Sequence, residues 1–181
     1  PTLYTLAPWE GDGPPASGGT VSAEVLLSYR EIYPGCLDDP EQCDFPDYRP
    51  ADQWGGGAWV EGDSGSAVLI VGRKGLGPNC YGTPAECSGD ACVPSKGYHA
   101  YPYEPQILFY DPEELRQVAS GSRQPWSVVP YETYSPTGEV LDPACAELGA
   151  AAYDRQRGLL YVTEQTAGPW GATAVHVWRV E

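Results

Sequence analysis

Hydrophobic positions in this chain cluster into short β-type runs, and the most regular of them lies between Trp54 and Gly75. WGGGAWV, EGDSGS and AVLIVGRKG follow one another there and predict a hairpin. Trp59 and Val60 belong to its first strand, Gly62 to Gly65 form the turn, and Ala67 to Val71 form the second strand. The second run is continuously apolar and β-branched, the mark of a strand covered on both faces. Gln106 to Tyr110 (QILFY) predicts a further strand. DPEELRQVASG then predicts the clearest helix. Asp111 is its N-cap, Pro112 takes the first helical position and Glu114 the third, where it would complete a capping box. Leu115, Val118 and Ala119 share one face and Gly121 ends the helix. At about two turns it decorates a domain and does not form its core.

Trp126 to Tyr134 reads as another strand, interrupted by Pro130 and therefore at a sheet edge. The last third repeats the hairpin logic: GAAAYD, a turn at RQRG, LLYVTEQ, then AVHVWRV as a third strand. Near the N-terminus Val21 to Tyr29 has strand propensity with imperfect alternation, and its Glu24 suggests an edge. Residues 1–20 are rich in Pro and Gly without periodicity, as in an extended arm or linker.

A chain of 181 residues is long enough for one domain with a sizeable core. With 22 Gly, 19 Pro, 13 Tyr and 6 Trp, its composition favours short strands and structured loops over a helical bundle. The formal net charge of −15 repels phosphate backbones and anionic lipid, which argues against nucleic-acid binding through a basic face. No apolar run approaches the ~20 residues needed to span a membrane. The chain starts at Pro1 and has no Met, so a processed, longer precursor is expected.

Six cysteines without a C-x-x-C pair read as three disulfides, hence as an oxidising, secreted or cell-surface location. Cys36 and Cys43 close a short ring and are expected to pair. Cys87 and Cys92 can bridge through SGDA and leave Cys80 for Cys145; the rival pairing is Cys80–Cys87 with Cys92–Cys145. Spacing does not decide between them.

Small residues, Tyr-Asp, a Gly turn, Leu-Tyr-Val and a closing Val-x-Val-Trp form the pattern of a propeller blade. The expected architecture is all-β, with propeller-like antiparallel blades and one short helix. One blade spans 54–134, through GAWV, SAVLIV, ILFY and SVVPY, and a three-stranded one spans 145–181. The strand at 21–29 is left over and could complete the last blade. All of 21–181 would be a single disulfide-stapled domain. Two blades cannot close a ring of the usual ~4–8, so other chains or further blades would complete it. A two-sheet sandwich would bury the same faces.

The segments WGGGAWV, AVLIVGRKG, CYG, KGYHAYPYEPQILFYDPEEL, GAAAYD, GLLYVTE and VHVWRV resemble the C-terminal part of a group of large secreted bacterial proteins of unassigned function. They are also similar to β-propeller repeats generally. The likeness runs over about residues 54–181 and implies a propeller-like fold. It brings no catalytic residues with it.

Gly62-Asp63-Ser64-Gly65-Ser66 resembles the nucleophile signature of chymotrypsin-like proteases, but both histidines, His99 and His176, follow it in the chain, whereas that family's base precedes its serine. A hairpin turn is the better reading. Tyr98, His99, Tyr101, Tyr103 and Glu104 could form an aromatic platform with a titratable group, suited to a sugar or small ligand. The alternative is a loop packed over the sheets. His176 alternates with Val175 and Val177 and so points to the face opposite them. Asp38, Asp39, Glu41, Asp44 and Asp47 supply oxygens of the kind Ca²⁺ takes, without a D-x-D-x-D-G loop; no other cofactor is implied.

These features favour a non-catalytic, secreted binding or structural module. It could be a subunit of a larger extracellular assembly, with other chains or blades covering its exposed faces and glycan as a further partner. The competing expectation is an extracellular enzyme on glycan or another polymer, with its pocket near the His99 loop.

Overall fold

The structure, a computed structural model, describes residues 2–6, 13, 17–29, 48–63, 65–168 and 171–181. The Cys36–Cys43 pairing lies outside the described residues. Half of the chain is in strands and one α-helix is present among the described residues. Among the described residues all strand pairing is antiparallel, and the sheets do not close on themselves.

Two meander sheets form the body. The first is four-stranded, in the order β3 (Gln53–Gly62), β4 (Gly65–Gly75), β7 (Tyr103–Tyr110), β8 (Glu132–Tyr134). The second is three-stranded, β9 (Glu147–Asp154), β10 (Leu159–Gly168), β11 (Ala172–Arg179). A ribbon of β1 (Thr2–Leu6) and β2 (Ala23–Ser28) lies outside the first sheet. Another, of β5 (Cys80–Gly82) and β6 (Gly97–His99), carries the Cys-rich insertion between β4 and β7.

The hairpin forms as the pattern predicts, with Gly62 opposite Gly65 across its turn. Every residue from Ala67 to Gly75 is buried, which requires cover on both faces of β4. On one face Ala67, Leu69 and Val71 join Val60, Ile107, Leu148, Leu160 and Val162 in a core between the two sheets. On the other, Val68, Ile70, Leu108 and Tyr110 pack against Leu27, Tyr29, Leu115, Val118 and Val128. Each such aliphatic side chain stabilises the fold by ~1.5–3 kcal/mol relative to exposure. Tyr29 ties the outer layer down: its hydroxyl donates to the Val128 carbonyl at 2.8 Å and lies 3.1 Å from the Tyr110 hydroxyl.

The sheets touch backbone to backbone where β3 crosses β9. A Cβ on Gly56 would stand 2.2 Å from the Gly149 carbonyl oxygen, so only glycine permits this approach. The same face-to-face stacking is shared by propeller blades and sandwiches.

Three details differ from the sequence reading. The fourth strand of the first sheet is Glu132–Tyr134 and not SVVPY, because Pro125–Ser127 turns as a 3₁₀-helix and Val128 is drawn into the outer-layer core. It does occupy the sheet edge, as Pro130 implies. The leftover strand pairs with Thr2–Leu6 from the N-terminal arm and not with the last sheet. In the helix α1 (Pro112–Ala119), Asp111 caps by accepting from the Glu113 N–H at 2.8 Å, while Glu114 forms an ion pair with Arg123 and does not complete a capping box. Gly121, at φ +75°, ends it.

Cys80 is bonded to Cys87, and Cys92 to Cys145. The rival of the two pairings is therefore the one that forms. Two disulfides are compatible with an oxidising location, and no helix among the described residues is long and apolar enough to cross a membrane.

Candidate functional site

The five residues of the expected aromatic platform do not share one surface. Tyr101 is exposed, Tyr98 and Glu104 are half-buried, and Tyr103 is buried. His99 is 1% exposed. It sits at the end of β6, and its ring is held from both sides. Nδ1 lies 2.9 Å from Asp90 Oδ2 and Nε2 lies 3.0 Å from the Gly82 carbonyl oxygen. Both partners are acceptors, so a ring that donates from both nitrogens satisfies both and a neutral ring satisfies one.

Asp90 is the hub. It is 1% exposed and also accepts from the Tyr103 hydroxyl at 2.8 Å, the Cys92 N–H at 2.8 Å and the Val93 N–H at 3.3 Å. Burial alone would push its carboxyl up. The bonds from Tyr103, His99 and the two amides outweigh that and hold it below the usual carboxylate value. Burial pushes the Tyr103 phenol up to about 12, against the pull of the Ala100 N–H it accepts at 3.0 Å. Arg73 lies over the Tyr103 ring, 4.5 Å from its centre, and donates to the Cys145 carbonyl at 3.2 Å. The network thus joins β4, β6, β7 and both sides of the Cys92–Cys145 bridge. Its groups are occupied with one another, which is the geometry of a structural staple.

A second network lies on the inner side of the last sheet. Glu164 is fully buried and accepts from the Leu141 N–H at 2.9–3.0 Å, the Asp142 N–H at 2.8 Å and His176 Nε2 at 2.7 Å. Burial opposes its ionisation, and the two amides and His176 overcome that, so it lies below its ordinary 4.5. His176 stacks on Trp178, whose indole N–H donates to Glu139 at 2.5 Å; Glu139 also accepts from Tyr134. Because Glu164 is more acidic folded than unfolded, its contribution is full above about pH 4.5 and is lost as pH falls through the folded value. Acid denaturation followed by circular dichroism is expected to begin below that point. Glu164→Gln should flatten this acid limb and cost about 1–2 kcal/mol at neutral pH. An unchanged acid limb would contradict the assignment.

A groove of about 750 Å³ lies between the β1–β2 ribbon, α1 and the outer side of β3–β4. Tyr4, Leu26, Trp54, Trp59, Ile70 and Arg116 are among its walls. Gly57 carries no side chain on a strand whose next outward residue is Trp59, which leaves the floor of the groove open beside Ile70. Tyr4 and Trp59 are each 55% exposed. Arg116 is held by both oxygens of Glu113, at 2.6 and 2.7 Å. Sequence reasoning missed this groove, since its walls come from β1, β3 and α1.

Ser64 and the acidic residues Asp38, Asp39, Glu41, Asp44 and Asp47 lie outside the described residues. Among the described residues, no group of three or more His, Cys, Asp or Glu is placed to hold a metal ion. No family model, curated protein or solved structure matches this chain.

Proposed function

We infer that the protein is a non-catalytic binding and assembly module of an extracellular, oxidising environment, whose three-stranded sheet stacks against a further sheet from another chain or from other blades. One observation carries this reading: the two sheets are covered unequally. The β3–β4–β7–β8 sheet has apolar cover on both faces. In the β9–β10–β11 sheet, Leu160 and Val162 pair with Trp178 and His176 on the covered side. On the other side Tyr161 and Thr163 pair with Val177 and Val175, and Ala152 stands beside Tyr161. Val175 and Val177 are 59% and 51% exposed. A β-branched face of this kind in a face-to-face stack is where the next layer would sit.

The burial and full engagement of His99 support a non-catalytic role over an enzyme with its pocket at that loop. The two disulfides support the extracellular setting.

Sedimentation velocity tests the reading. At 0.5 M salt, where the repulsion of a −15 chain is screened, the protein should self-associate with rising concentration through this face. Val175→Glu with Val177→Glu should abolish association and leave thermal stability within about 0.5 kcal/mol. A chain that stays monomeric under all conditions would rule out stacking between copies, and a double variant that associates equally would sink the assignment of this face.

A further inference from the structure

We propose that the groove between β1 and β3 binds an extended peptide by strand addition, with apolar side chains in the groove and a basic residue at its α1 end. The site is separate from the open sheet face and does not depend on its stacking.

The first reason is which residues line it. Thr2 to Thr5 of the edge strand β1, Trp54 to Trp59 of β3 and Val68 to Ile70 of β4 border the groove. Among the described residues β1 has a backbone partner only in β2, and β3 only in β4. Among the described residues the other edge of each strand is unpaired, and such an edge is the template that an added strand uses. The bare Gly57, beside Ile70, lets another backbone come close. The five residues of β1 set the matching length, about 17 Å of extended chain at ~3.4 Å per residue.

The second reason is chemistry. The walls are apolar and aromatic, and the one charged side chain on them, Arg116, is neutralised by Glu113. Past Trp59 the groove continues into a hollow of about 510 Å³ bordered by Ser66, Asp111 and Glu113. Two carboxylates stand there against one guanidinium, in a chain of net charge −15, beside the exposed face of an indole. A lysine or arginine gains both the negative potential and a cation–π contact with Trp59.

The test is selection of the full chain against a phage library of random decapeptides, followed by titration of the enriched peptides by tryptophan fluorescence. Enriched sequences should alternate apolar residues and carry a terminal Lys or Arg. N-methylation of the peptide amides should weaken binding about tenfold or more, since it removes the ladder donors. Lys→Glu in the peptide should weaken it severalfold at low salt. Ala119→Trp, an exposed helix position that fills the groove, should abolish binding while near-UV circular dichroism away from the added indole is kept. Trp59→Ala is the second variant and should weaken binding about tenfold. Chitohexaose serves as the carbohydrate arm. No enrichment over an unrelated acidic protein would overturn the proposal. So would equal binding by N-methylated peptides or by Ala119→Trp, or saturable binding of chitohexaose alone.

Discussion

Asp90→Ala should destabilise the fold by about 3–5 kcal/mol, as a lower denaturant midpoint with an unchanged slope. The carboxylate answers four donors at once: His99 Nδ1, the Tyr103 hydroxyl and the amides of Cys92 and Val93. Alanine leaves all four facing a site that water does not reach, and an unanswered buried donor costs ~1–3 kcal/mol by itself. Asp90→Asn keeps one oxygen acceptor but turns an amide group towards donors, so it should fall between wild type and alanine. The pH dependence has the same origin. The folded carboxyl lies below its ordinary 3.8, so its stabilisation is present at neutral pH and fades only as pH falls past that value. The alanine variant should lack that part of the acid limb. A cost under about 1 kcal/mol would mean that the network is incidental to the fold.

The second large effect concerns the disulfides, which should be unequal. Loop-closure entropy grows with the enclosed chain, and the separations are 53 residues for Cys92–Cys145 and 7 for Cys80–Cys87. Chain-entropy arithmetic puts the long bridge at about 4 kcal/mol and the short one at about 2. Cys92→Ala with Cys145→Ala should therefore be clearly less stable than Cys80→Ala with Cys87→Ala. Non-additivity should also appear. Asp90 accepts from the Cys92 amide and Arg73 donates to the Cys145 carbonyl, so losing the long bridge loosens the same network. Equal costs for the two pairs would contradict the assignment of the long bridge as the main staple. Peptide mapping of the non-reduced protein gives the pairing itself.

What could be read from the sequence was local in origin. Continuous β-branched residues announce a strand with two covered faces, and Ala67 to Val71 has them. The alternation of His176 with Val175 and Val177 places them on opposite faces, although the valines are the exposed ones. Glu164 shares the parity of Leu160 and Val162 on its strand, but the sequence reading did not single it out. The helix cap at Asp111 is a matter of adjacent residues. What escaped depends on distant parts meeting. Two cysteine pairings were open because each is closed by tertiary approach. His99 lies among tyrosines in a loop-like stretch, and only the fold brings Asp90 and the Gly82 carbonyl to its two nitrogens. The groove is defined by the side chain that is missing at Gly57, and by a short strand in a Pro- and Gly-rich arm.

The unequal covering of the two sheets is the claim on which the functional reading turns. Methyl NMR of the monomeric chain with a soluble paramagnetic cosolute measures it directly. The Val175 and Val177 methyls should broaden strongly, while those of Val68, Ile70, Leu160 and Val162 keep their intensity. Protection of Val175 and Val177 in the monomer, or broadening of Val68 and Ile70 to match them, would contradict the account.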